Sequence, residues 1–142
     1  MESFKAQVSD WVKASEARLT AVFRASVQSL VHEVQKTKAE GGHMPVDTGF
    51  LRASLLASKT AMPSLKTDAK PEKDQSYPND ASSVELTIAG ASPGRPFYLG
   101  FTANYALHQE YVNGFVRLTA QRWQEIVDKS IQDIAYGSRN RD

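Results

Sequence analysis

The residues best suited to chemistry in this 142-residue chain are Asp47, Thr48 and Gly49. An aspartate in an Asp-Thr-Gly string can act as a general acid or base when a second copy supplies another carboxylate. The two groups then share a proton, because like charges so close cannot both ionise. The same residues suit a helix start, since Asp and Thr cap helices and glycine tolerates a tight backbone. The string therefore predicts either a catalytic carboxylate or a structural cap.

The catalytic interpretation corresponds to a dimeric, retropepsin-like aspartic protease with Asp47 contributed by each chain. Ile88-Ala89-Gly90 also matches the apolar pair and glycine of those enzymes. The context favours a cap, because a long helical segment precedes the string and Phe50 follows it, whereas those proteases are nearly all β and carry the Asp in an apolar strand. We expect a structural role and no enzymatic activity, with the dimeric protease as an alternative.

Other groups that could do chemistry are sparse. The chain has no cysteine, which excludes disulfides, thiolate nucleophiles, iron–sulfur clusters and cysteine-ligated zinc. His32, His43 and His108 show no metal-binding spacing. The stretch 90–94 lacks the glycine spacing and the lysine of a phosphate-binding loop. We expect no metal and no cofactor.

The charge balance limits the partners. Lys and Arg number 17 and Asp and Glu 16, a net charge of +1, so no overall field attracts nucleic acid or an anionic membrane. Aromatic and basic side chains are mixed in 105–122 and could stack on bases, but this mixture is also typical of a protein interface, which we favour. These residues are Tyr105, Tyr111, Phe115, Arg117 and Arg122. No apolar run reaches the roughly 20 residues of a membrane span.

The N-terminal segment shows the spacing of a long amphipathic helix, predicted over 3–40 and ending at Gly41-Gly42. Some 36 residues of helix run about 54 Å, whereas a compact domain of this size is about 37 Å across. The helix therefore either breaks near Ala14–Ala17 or places its free end on another subunit. Its apolar residues are Phe4, Val8, Trp11, Val12, Leu19, Val22, Phe23, Val27, Leu30, Val31 and Val34.

The middle of the chain is predicted to be a junction followed by an arm. Residues 46–56 favour a short helix that continues into a strand. Residues 62–83 hold three of the six prolines and seven charges without a regular period, which is typical of a mobile loop or a hairpin arm. Because so long a structureless segment is unusual in a compact domain, we expect an interaction arm or a segment that orders on assembly.

The remaining elements complete an α+β fold in one domain, 1–142. A small antiparallel sheet is predicted within 84–101, with the alternating Val84–Ala89 paired to Phe97–Phe101 and Leu55–Thr60 as a third candidate strand. A C-terminal amphipathic helix follows over 117–136, and 138–142 is predicted to fray. Trp11 and Trp123 fall on apolar helix faces, so we expect them to pack in the core or between helices.

Several segments together resemble a known family, the tail-completion or head–tail joining proteins of long-tailed bacteriophages, similar to the lambda gpZ-like minor tail components. The first segment follows the long helix and matches at Val46, Asp47, Thr48, Gly49, Leu51, Arg52 and Ser54. The second matches at Tyr105, Ala106, Glu110 and Phe115. A third is similar over 114–118 and on through Trp123, Ile126 and Val127. The chain departs from the pattern at Tyr111-Val112, where the family has a glycine, and Gly114 comes two residues late.

The resemblance implies an α+β protein of the virion neck, present in the host cytoplasm during assembly. Its expected state is a hexameric or dodecameric ring whose partners are the head connector or portal-side adaptor and the tail terminator or tail tube, with DNA only passing through. We expect Asp47, Thr48 and Arg52 to fix the junction, Arg52 to pair with Glu110, and the arm to reach a neighbouring subunit. A generic helical adaptor is a further alternative.

Overall fold

A computed structural model describes residues 3–137, except for the side chains of 136 and 137. The described part of the chain begins with one long helix. Helix α1 spans Phe4–Val34, and the Ser3 hydroxyl caps it by accepting a hydrogen bond from the Ala6 N–H at 3.2 Å. The helix is continuous through Ala14–Ala17 and is about 46 Å long. Its buried residues lie only in the second half, at Ser26, Val27, Val31 and Val34. Within the described residues the first half of the helix therefore has no buried side chain, which agrees with the predicted overhang.

The end of α1 comes earlier than the predicted residue 40. The helix stops at Val34, and a separate 3-10 helix spans Lys38–Glu40. Thr37 is extended, and its N–H and hydroxyl both bind the Glu40 carboxylate, at 3.1 and 2.8 Å. These local bonds give the backbone an alternative to continuing the helix.

The sheet is two-stranded and antiparallel. After helix α2, Phe50–Ala53, strand β1 covers Leu55–Ser58 and pairs with β2, Tyr98–Phe101. Leu55 lies opposite Phe101 and Ser58 opposite Tyr98. The helix-to-strand junction predicted within 46–56 is confirmed, and the third candidate strand is the true partner of β2.

The strand predicted at Val84–Ala89 is wrong, because this segment belongs to helix α3, Ser82–Ala89. Val84 and Ile88 are both buried, while Leu86 between them is 77% exposed. Residues four apart share a face of a helix, and so do alternate residues of a strand. Val84 and Ile88 therefore satisfied both patterns, and packing against β1 and α1 selected the helix.

The C-terminal part is helical but segmented. Helices α4, α5 and α6 span Ala106–Asn113, Phe115–Ala120 and Trp123–Gly137, so the single helix predicted over 117–136 is interrupted after Ala120. Helix α6 packs along α1, and Arg122 joins Glu33 of α1 at 2.9 Å. The predicted frayed tail, 138–142, lies outside the described residues.

The core brings together residues from Val27 to Phe115. The architecture is α+β, as predicted. The core contains residues from α1 through α5, with Trp123 of α6 packed against it. The fully buried large side chains are those of Phe115, Met44 and Val31. The helices between residues 3 and 137 include none long and apolar enough to cross a membrane.

The predicted arm, 62–83, does not project from this body. Its first part crosses the sheet end, where the Lys66 N–H donates to the Thr102 carbonyl at 3.1 Å. Further along, the Ala69 carbonyl accepts from the Asn104 N–H at 2.8 Å. The segment ends in the first turns of α3. It is thus attached to its own chain at several points.

Candidate interaction surfaces

The Asp-Thr-Gly string forms a helix start in this structure. The Thr48 hydroxyl accepts a hydrogen bond from the Phe50 N–H at 3.3 Å, and Gly49 adopts a left-handed conformation with φ +86° immediately before α2. The carbonyl of Tyr77 lies where a side chain on Gly49 would point. Asp47 is exposed. Thr48 and Gly49 therefore fix the junction, as the structural interpretation predicts, and Asp47 stands at its surface.

An aromatic cluster connects this junction to the arm and to α4. The rings of Phe50 and Tyr77 meet edge to face with centroids 5.0 Å apart, and Phe50 lies 6.4 Å from Tyr105. The Tyr77 N–H also donates to the Thr48 carbonyl at 2.7 Å. Burial raises the pKa of Tyr105 above its ordinary value, against a smaller lowering by a hydrogen bond with the Leu51 backbone. The arm is therefore part of the junction's packing.

Arg52 does not pair with Glu110. Its Nε is buried and has no hydrogen-bond partner. The hydrogen bonds from Thr37 lower the pKa of Glu40, and the charge of Arg52 adds a smaller lowering. The Arg52 carbonyl accepts from the Gln35 side chain at 2.9 Å, which joins the junction to the end of α1. The Arg52–Glu110 pairing is wrong because the Glu110 carboxylate is occupied by backbone groups.

Glu110 caps the start of the next helix. Its two carboxylate oxygens accept hydrogen bonds from the N–H groups of Val116 and Arg117, at 2.8 and 3.0 Å. Gly114, with φ +66°, makes the turn between α4 and α5. Phe115 then enters the core and meets Phe101 edge to face at 5.1 Å. The second segment of the resemblance is therefore a capped helix–turn–helix unit.

This unit forms one wall of an apolar cavity of about 400 Å³. The opposite wall comes from the start of the arm, which lies across Gly100 of β2. We call the cavity the α4–α5 groove; its apolar lining includes Met62, Leu65, Leu99, Leu107, Phe115 and Val116. Leu107, Met62, Leu65 and Val116 are exposed at its rim. An open apolar groove of this kind is suited to a protein contact.

The remaining predicted site residues are divided between core and surface. Trp123 is half-buried against the core, as expected. Trp11 is exposed and is not one of the residues packed on the core, so the core alternative of its prediction is wrong and the interhelical one stays a prediction. Tyr105 and Phe115 point inward, but Tyr111 is 84% exposed. They do not form a common stacking surface for bases.

The groove was not predicted from the sequence. Its walls come from positions far apart in the chain, and no local spacing connects them. Within the described part of the chain, no three His, Asp or Glu side chains gather in a group that could hold a metal ion. No protein-family model, curated protein or solved structure matches the chain.

Proposed function

We propose that this chain is a structural virion protein that forms a ring at the neck of a tailed bacteriophage and joins the head connector to the tail. The observation that carries the proposal is the α4–α5 groove. Three residues of the second resembling segment, Ala106, Glu110 and Phe115, line it. The residues behind the resemblance thus build an exposed apolar surface, which is typical of a site of protein contact.

The occupant that we propose for the groove is the neighbouring subunit of the ring. A ring requires a heterologous contact, in which a surface of one subunit meets a different surface of the next. Met62 and Leu65 give the arm a part in this contact, because they form a wall of the groove. In this role the arm stays on its own subunit and contributes to the surface that the neighbouring subunit contacts. DNA passes through the channel of the ring.

The test compares two leucines that are exposed to a similar degree. Leu107 is 69% exposed at the groove, and Leu86 is 77% exposed on α3, away from the groove. We expect Leu107→Asp to prevent ring formation and head–tail joining, and Leu86→Asp to leave both intact. The measurements are the mass by light scattering, alone and after mixing with connector or tail particles, and the yield of joined virions.

Two outcomes would contradict the proposal. One is that the unmodified protein forms no ring alone and that its mass stays the same after mixing with connector particles or with tail particles. The other is a Leu107→Asp variant that joins heads to tails at the normal yield. A protein that ignores both particles but cleaves peptides, and loses that cleavage in Asp47→Asn, would instead favour the dimeric aspartic protease.

A further inference from the structure

The first half of α1 carries an apolar face that the described part of the chain leaves uncovered. Phe4, Trp11 and Leu19 are 81%, 69% and 58% exposed, and none of the described side chains between residues 3 and 25 is buried. Their spacing places them on one side of the helix. We call this face the α1 ridge; it consists of five apolar residues and one small polar residue, namely Phe4, Val8, Trp11, Val12, Leu19 and Ser15.

The α1 ridge has the same spacing in both directions along the helix. Its successive members are 4, 3, 1, 3 and 4 residues apart. A twofold contact requires this kind of self-complementarity, because residue i of one copy meets residue j of the other and j meets i. Two helices that run antiparallel about an axis between Trp11 and Val12 therefore place every ridge residue level with another ridge residue. The level pairs are Phe4 with Leu19, Val8 with Ser15, and Trp11 with Val12.

The one polar member of the ridge fits this register. Ser15 lies level with Val8 of the other copy, so a small side chain faces a larger, branched one. Facing layers of side chains interdigitate when a large residue lies opposite a small one. Ser15 is also only partly exposed in the single chain. The other two level pairs join apolar side chains alone.

We propose that two copies of this chain associate through their α1 ridges as an antiparallel helix pair with this register. The contact is isologous and needs no other protein. It concerns the isolated chain and is independent of the proposed ring, whose contact lies at the α4–α5 groove.

The charges beside the α1 ridge suit the same arrangement. Lys5 and Glu16 are eleven residues apart, which is about three helical turns, so both lie on the edge of the ridge that bears Val12. In an antiparallel pair the same edges of the two helices face each other. Lys5 of each copy then lies within reach of the other copy's Glu16, and the dimer gains two ion pairs of opposite charge.

The area of the α1 ridge indicates a weak dimer. An aromatic side chain buries about 150–250 Å², so two aromatic and three large aliphatic residues remove roughly 500 Å² per copy from water. The total of about 1,000 Å² falls at the low end of specific interfaces. We therefore expect an equilibrium between monomer and dimer that depends on protein concentration.

Sedimentation equilibrium of the full chain over a range of concentrations tests whether the α1 ridge forms the dimer contact. Leu19→Ser should weaken dimerisation at least about a hundredfold, because the twofold axis removes two leucines from the contact. The matched control is Leu86→Ser, an exposed leucine outside the ridge, which should dimerise normally. Circular dichroism checks that both variants keep the fold. A Leu19→Ser variant that dimerises like the control would overturn the proposal.

Cysteine cross-linking tests the direction and register, since the chain has no cysteine of its own. Val8→Cys and Ser15→Cys, prepared as separate proteins, should form a disulfide-linked dimer when mixed and oxidised. Neither should cross-link alone, because the antiparallel register separates identical positions by about 10 Å. Cross-linking of Val8→Cys with itself would indicate a parallel pair and contradict the proposal.

Charge reversal gives an independent test. Lys5→Glu should weaken the dimer roughly tenfold, since it places like charges together twice. Adding Glu16→Lys to the same chain should restore the affinity, because both pairs are then opposite again. If Leu107→Ser weakens dimerisation as Leu19→Ser does, the ridge inserts into the α4–α5 groove of another copy, and the antiparallel pair is wrong.

Discussion

Glu110 and Val116 are joined by a 2.8 Å hydrogen bond from the Val116 N–H to the Glu110 carboxylate, across the turn between two helices. With the companion bond from the Arg117 N–H, the carboxylate satisfies two of the donors that a helix start leaves without partners. The negative charge is also favourable at the positive end of α5. One side chain of α4 thereby sets the direction of α5 and the shape of the groove.

Replacing Glu110 with alanine is expected to lower the free energy of unfolding by about 1 kcal/mol, within the range measured for helix caps. Urea denaturation followed by circular dichroism measures the change. Glu110→Gln should lose less, because its amide oxygen can still accept one of the two bonds. Equal stability of Glu110→Ala and the unmodified chain would show that the cap contributes nothing.

Gly49→Ala should destabilise the fold more than Gly94→Ala. Both glycines have a positive φ, +86° and +81°, so both substitutions carry the backbone cost of roughly 1 kcal/mol. Only at Gly49 does the new Cβ meet an obstacle, the Tyr77 carbonyl, while nothing lies within 4 Å at Gly94. Thermal denaturation of the two variants isolates the steric part, and identical melting temperatures would contradict this packing.

Tyr77→Ala should release the arm from the junction. The substitution removes the ring contact with Phe50 and the hydroxyl that accepts the Glu72 N–H at 2.9 Å. Trypsin should then cleave faster at Lys66 and Lys73, while the helix content by circular dichroism stays unchanged. Tyr77→Phe, which keeps the ring, serves as the control and should show an intermediate rate. Unchanged cleavage in Tyr77→Ala would mean that other contacts hold the arm.

Glu40 should contribute to the pH dependence of stability. The hydrogen bonds from Thr37 lower the pKa of Glu40 below its ordinary value of 4.5. A carboxyl with a lowered folded pKa stabilises the fold above pH 4.5, and this contribution is lost as the pH falls through the folded pKa. Glu40→Gln should therefore be less stable than the unmodified chain at pH 7, with the difference shrinking below pH 4.5.

Urea midpoints between pH 7 and pH 3 measure this effect. Glu72→Gln is the control, because the Glu72 carboxylate accepts no hydrogen bond in residues 3–137. A Glu40→Gln variant whose midpoint stays parallel to that of the unmodified chain at every pH would contradict the role of Thr37.

Long periodic segments were predictable from the sequence, whereas short ones depended on their neighbours. The spacing of the eleven apolar residues of α1 fits a helix and no other regular structure, and the apolar residues of α6 have the same spacing. Val84 and Ile88 fit a strand and a helix equally well, and only the burial of both, with Leu86 exposed, distinguishes the two. The spacing also placed Trp11 on an apolar face but could not show that residues 3–135 leave the Trp11 side chain exposed.

The site was predictable to a similar extent. Thr48 and Gly49 carry a local signal, because a cap and a left-handed glycine act within a few residues, and the structure places them as expected. The partners of Arg52 and Glu110 could not be predicted, because they depend on how the chain folds around these two residues. Glu110 finds its partners six and seven residues away in the backbone, and backbone donors leave no trace in residue types.

Because none of the described side chains of residues 3–25 is buried, we expect the first half of α1 to open as a unit separate from the core. Helical turns without tertiary contacts rely on intrinsic propensity, which is marginal for an isolated helix of this length. The amide protons of residues 8–20 should therefore exchange with solvent through local opening, while those at Val27 and Val31 exchange only when the whole fold opens. Raising the protein concentration should slow exchange in the first unit alone, because association orders those turns without affecting the core.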